Sequence, residues 1–220
     1  GGLVGVASPQ DFGAVDKASL CLKRFPVHES AGLIWATLDL NSKLSIADYL
    51  CGYDALLEAF GFDGWTLFSQ RTLSGPNWKT AYDGYLDFYH LPVLHKDTFG
   101  ADFFNRANYF FWGPHQRLSS PSKFAQKTGS DEMENQPETE ADIQSAKEQF
   151  DFLEIVVRDE DYATGKRQHE ALQSGMLKEV LFGRNERGGQ VFHQWAAKLT
   201  NATDEELLEI FAAEQKQAAE

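Results

Sequence analysis

The chain has 220 residues and a formal net charge of −13, with 42% hydrophobic and 13% aromatic residues. This length suits one large domain or two small ones with a real core, and the negative charge would repel phosphate backbones, so a nucleic-acid partner is not expected. A mean hydropathy of −0.42, with no apolar run near about 18 residues, argues against a membrane span.

Taken in chain order, the start "GGLVGVASPQ" has neither the basic nor the apolar region of a signal peptide, and reads as a chain resuming within a domain. Cys21 and Cys51 both lie in apolar patterns, which predicts buried reduced thiols and a cytoplasmic setting. Residues 20–40 show two strand-like runs around a turn at Glu29–Gly32. Residues 45–62 read as one helix, capped by Ser45, with Leu50, Leu56, Leu57 and Phe60 recurring on one face and Gly61 ending it. Trp65–Gly75 reads as a strand. A helical, aromatic segment, "PNWKTAYDGYLDFYHLPVLHKDTFG", follows, and then "ANYFFWGPHQRL" as a strand running into a turn. Residues 129–142 are expected to form an acidic, flexible loop, since 131–142 carry six acids and no base. Helix resumes near Ile143, "FDFLEIVV" fits either a strand or the end of that helix, and Thr203 with Glu206 forms a capping box for the last helix.

The chemistry concentrates in "DFYHLPVLH". Asp87 and His90 stand three apart and share a helical face, so the carboxylate can hold one imidazole nitrogen while the other binds a metal. His90 and His95 are five apart, which on a straight helix separates them by about 140°. Pro92 is expected to bend the chain between them and bring the rings together. A third ligand is available in the acidic triplet Asp159, Glu160 and Asp161. Two imidazoles and one carboxylate make the facial triad of non-haem Fe(II) oxygenases.

These residues resemble the catalytic domain of Rieske-type ring-hydroxylating oxygenase large (alpha) subunits. "NWKTAYDGYLDFYHLPVLH" is similar to that family's iron motif, and "GLIWATLD" to the strand following its Rieske domain. "DEDYATGKRQHEALQSG" with "FGRNERGGQVFHQW" resembles its C-terminal ligand helix and closing segment. The resemblance implies His90 and His95 as ligands of a mononuclear Fe(II), and Asp161 as the carboxylate ligand with Glu160 as its rival. It implies Asp87 as the carboxylate that hydrogen-bonds the first histidine and admits electrons from a neighbouring subunit, and Asn77 as a support for the backbone. Tyr85, Phe88, Phe99 and the run Tyr109 to Trp112 are expected near the substrate.

The implied fold is α+β, a helix-grip in which an antiparallel sheet curves around a long C-terminal helix. Part of the sheet is expected to be missing, because residues 119–150 supply a polar connection where the family has strands. The resemblance further implies a single catalytic domain over residues 1–220, without the N-terminal Rieske domain that holds a [2Fe–2S] cluster. With two distant cysteines the chain cannot build that cluster by itself. The implied activity is dioxygen activation to hydroxylate or dihydroxylate an aromatic or related small organic substrate. Ferredoxin and reductase would supply electrons, and the full-length protein would be a homotrimer; the isolated chain would be inactive. Two alternatives stay open: a metal-free helix-grip module that binds an apolar ligand, and a 2-oxoglutarate oxygenase using His95 and Asp97 with a distal His169 or His193.

Overall fold

The computed structural model describes residues 1–120, 123 and 139–218. It combines helices with small antiparallel sheets, and the Cα positions fall into two compact units. One comprises Gly1–Trp65 with Ala202–Glu220, the other Thr66–Asn201. No helix among the described residues is long and apolar enough to cross a membrane.

In the first unit, β1 (Val27–Ser30) pairs antiparallel with β2 (Leu33–Ala36), Ser30 opposite Leu33. The two turn residues, Ala31 and Gly32, have φ of 56° and 70°, as the tight hairpin turn requires. The helix expected over residues 45–62 is broken. α1 (Ile46–Leu50) is capped by the Ser45 side chain, and α2 (Tyr53–Glu58) begins after Cys51 and Gly52, both left-handed. Periodicity continues across this break because Leu50 and Leu57, on either side of it, are both buried, so a pattern count alone misses it. α8 (Asp204–Ala218) begins at the expected box, with Glu206 accepting from the Thr203 N–H at 2.8 Å. Leu50 and Phe211 are fully buried between α1 and α8, with Tyr49 edge-on to Phe211 at 5.7 Å. Each such side chain stabilises the unit by about 1.5–3 kcal/mol. Cys51 joins this core, and burial, with Glu214 and Asp48 nearby, pushes its thiol up to about 11. Cys21 does not: it is exposed, so the expectation of two buried thiols holds for Cys51 alone.

The second unit carries the candidate site. Residues 65–75 form no strand. Arg71 instead reaches Asp151 at 2.5 Å and Glu154 at 2.6 Å, both on α5 (Glu140–Val156), so the segment is held by side chains where a strand would need a backbone partner. α3 (Trp78–Tyr85) and α4 (Leu91–Leu94) follow, then the hairpin of β3 (Asn108–Trp112) and β4 (His115–Ser119). The expected acidic loop lies mostly outside the described residues. Its last residues differ from the expectation: Thr139 and Asp142 form a capping box and helix begins at Glu140. "FDFLEIVV" is the end of that helix, which runs through a π-helical segment, Val157–Tyr162, into α6 (Ala163–Gln173). α7 (Arg187–Asn201) closes the unit, burying Val191 and Trp195.

Candidate metal centre

The helix breaks ahead of both histidines, at Asp87, and not between them at Pro92. Asn77 caps α3, accepting from the Lys79 N–H at 2.9 Å, and the helix ends at Tyr85. Asp87 then offers one carboxylate oxygen to the Tyr89 N–H at 2.5 Å and the other to the His90 N–H at 3.3 Å. A side chain that bonds the backbone two and three residues on gives the chain an alternative to helix. Pro92 sits in the first turn of α4, where its missing N–H costs nothing, and Leu91 stays helical. The expected bend between the two histidines is therefore absent: His90 to Leu94 is helical, and the chain breaks ahead of His90 instead. α4 then carries His95 at its C-terminal end. There Gly100 packs so closely that a Cβ would lie 2.8 Å from the His95 carbonyl oxygen and against that of Leu91.

Opposite these histidines runs the π-helical segment, whose extra residue per turn changes the register of the acidic triplet. Glu160 and Asp161 address opposite edges of the same ring. His95 Nδ1 lies 2.5 Å from Glu160 Oε2, and His95 Nε2 lies 3.1 Å from Asp161 Oδ1. His90 is arranged in the same way, with Nδ1 3.2 Å from Asp87 Oδ2 and Nε2 3.5 Å from Asp161 Oδ1. Each Nδ1 is held by a carboxylate, an arrangement that, with a metal bound, would fix the tautomer whose Nε2 lone pair faces the ion.

Donor atoms of His90, His95 and Asp161 lie within 4.8 Å of one another. A divalent ion with bonds of about 2.1 Å sets neighbouring donors about 3 Å apart, so the nitrogen–oxygen spacings of 3.1 and 3.5 Å suit one, and within the 4.8 Å limit the donors would draw together on binding. Glu160 faces the far nitrogen of His95, and its Oε2 also accepts from the Thr98 hydroxyl at 3.2 Å. It stands on the side of the His95 ring away from Asp161.

Burial pulls the His90 imidazole down, but hydrogen bonds to Asp161 and Asp87 outweigh it and raise the group to about 9. Without a metal, His90 is thus a cation at neutral pH, doing the charge balancing that a metal would otherwise do. Burial, reinforced by the Tyr162 hydroxyl and Asp161, keeps Tyr85 protonated. A cavity of about 460 Å³ opens onto this cluster.

Of the aromatics expected around it, Tyr85, Phe88 and Phe99 line the cavity, while the hairpin residues Tyr109 to Trp112 do not. Phe99 also stacks on the His95 ring at 4.7 Å. Tyr162, Phe182 and Glu186 line it without having been expected. Tyr162 adjoins the acidic triplet and so had a local signal; Phe182 and Glu186 had none. His193 sits 2.9 Å from Asp83, and His169 does not line the cavity. Asp97 is exposed beside Lys96, away from the cluster, which removes the geometric basis for the 2-oxoglutarate alternative.

A helix-and-hairpin unit that aims two imidazoles at one carboxylate oxygen has the form of a mononuclear metal protein. Residues 62–149 and 130–202 match the family model "Ring hydroxylating alpha subunit (catalytic domain)", and the chain belongs to that family. A crystal structure of the quaternary ammonium Rieske monooxygenase CntA, bound to an inhibitor, is similar to this chain with a TM-score of 0.66. The identity is 16%, covering 90% of this chain and 67% of that one, so the likeness concerns the fold. A comparison with curated proteins finds no match.

Proposed function

We propose that the chain is the catalytic domain of a terminal oxygenase that holds a mononuclear Fe(II) on His90, His95 and Asp161. The observation that carries this reading is the convergence of both Nε2 atoms on Asp161 Oδ1 while each Nδ1 is held from behind. Bound iron would supply dioxygen activation, for hydroxylation or dihydroxylation of an aromatic or related small organic substrate. Asp87 and Glu160 keep the two rings oriented and hold their Nδ1 protons. Phe99 shields the His95 face from water, and Tyr85 and Tyr162 offer hydroxyl groups beside Asp161. Asp161 is the carboxylate ligand in this reading, with Glu160 its support.

A [2Fe–2S] Rieske cluster, which this chain's two cysteines cannot build, would be the electron source, with entry at Asp87. Ferredoxin, reductase and a homotrimeric full-length assembly belong to the same reading, as does a helix-grip sheet in that assembly. The test is iron content after anaerobic Fe(II) reconstitution. About one iron per chain, lost in His90→Ala, is expected; a folded wild-type chain that takes up no iron would support the apolar binding module instead.

A further inference from the structure

The cavity of about 460 Å³ beside the triad has a one-sided charge. Asp83, Asp87, Asp161 and Glu186 line it, and among the described residues no Lys or Arg does. A ferrous ion held by neutral imidazoles brings two positive charges, which Asp161 and Asp87 balance. Asp83 is paired with His193 at 2.9 Å, and even if that pair is counted as neutral, Glu186 remains. Its carboxylate accepts from the Gly183 N–H ahead of α7, which fixes it at the wall, and no cation reaches it among the recorded ion pairs of the described residues. Its charge is felt inside the unit, for it raises the Tyr109 hydroxyl together with burial and Asp87. The rest of the wall includes Tyr85, Phe88, Phe99, Tyr162 and Phe182, whose ring faces attract cations.

We propose that this cavity selects a small organic cation, an ammonium-bearing substrate, over neutral and carboxylated molecules of the same shape. The proposal names the substrate class of the oxygenase site described above and rests on that reading for the chemistry, though not for the binding. An anionic substrate would meet Glu186 and Asp83 with no Lys or Arg to pair its carboxylate, and the His90 ring is already engaged by Asp87 and Asp161; desolvating an unpaired charge opposes binding. A cation finds a carboxylate and aromatic faces together in one wall.

The test uses three probes that share one ring and differ in charge: benzylammonium, benzyl alcohol and benzoate. Each is titrated calorimetrically at pH 7 into the chain, both metal-free and anaerobically loaded with Fe(II). Benzylammonium is expected to bind about tenfold more tightly than benzyl alcohol in both forms, with benzoate weakest. Glu186→Gln should remove most of that preference and leave the alcohol unchanged; Asp83→Asn provides a second variant if the first fails to fold. Equal or tighter binding of the alcohol or benzoate would overturn the proposal. So would a preference that disappears on metal loading, because the cation would then be taking the ion's place, or one that both variants leave intact. A chain that takes no iron yet prefers the cation sinks the oxygenase reading alone; one that takes iron and prefers benzoate sinks this proposal alone.

Discussion

The two histidines of the centre are held by different means. His90 is fixed by a residue three positions away, through an Asp87 side chain that also shapes the backbone turn it stands on. His95 is fixed by a residue 65 positions away, Glu160, and is packed against Phe99 with only 1% of its side chain exposed. His90 remains 21% exposed. A local turn can orient a ligand without a core; the buried ring needs the fold complete before it is in place. Metal binding and folding should therefore be coupled more strongly through His95 than through His90.

The sharpest way to break this contrast is substitution of each ring. His95→Ala should abolish iron binding and also destabilise the metal-free chain by about 2–4 kcal/mol, since it leaves a cavity and leaves Glu160 with Thr98 alone. His90→Ala should abolish iron binding at a cost, read above about pH 9 where the ring is neutral, of about 1 kcal/mol. Urea unfolding of the two variants measures both, and equal destabilisation would remove the distinction. Next in size are the supporting carboxylates. Glu160→Ala and Asp87→Ala should each weaken iron affinity about 10- to 100-fold, with Glu160 at the upper end because nothing local replaces it. Competition against a calibrated chelator gives these values.

The smallest effect is in pH. His90 in the metal-free chain is raised to about 9 from an ordinary 6.5. The protonated form is thus favoured by folding: its contribution is complete below about pH 6.5 and is lost as pH rises through about 9. The melting temperature of the metal-free wild type should fall across that window, and that of His90→Ala should stay flatter. Iron affinity should move the other way, rising with pH, because the bound proton must leave before the imidazole can ligate.

The same contrast explains how much could be read from the sequence. Residues whose roles are set within a few positions were legible: the Ser45 and Thr203 caps, the first hairpin, Asn77, and Asp87 behind His90, whereas the return strand of the second hairpin was read as a turn. The location of the bend was misassigned because a proline is the louder helix signal, whereas in a helix's first turn it is harmless and an aspartate can end the preceding helix unaided. The choice between Glu160 and Asp161 stayed open for a geometric reason. The π-helical segment inserts a residue that α-helical spacing does not anticipate, so neighbouring carboxylates end up at opposite edges of one ring. Residues 65–75 look like a strand, but alternation is a local property and a strand needs a partner; Arg71 ties the segment to α5 instead. Glu186 and Phe182 reach the cavity only through the tertiary fold.

The most direct measurement of the central claim is anomalous diffraction at the iron edge from anaerobically loaded crystals. A single peak within about 2.1 Å of His90 Nε2, His95 Nε2 and an Asp161 oxygen is the predicted result. A peak bonded to Glu160, or no peak among these three residues in a chain that has taken up iron, would contradict it.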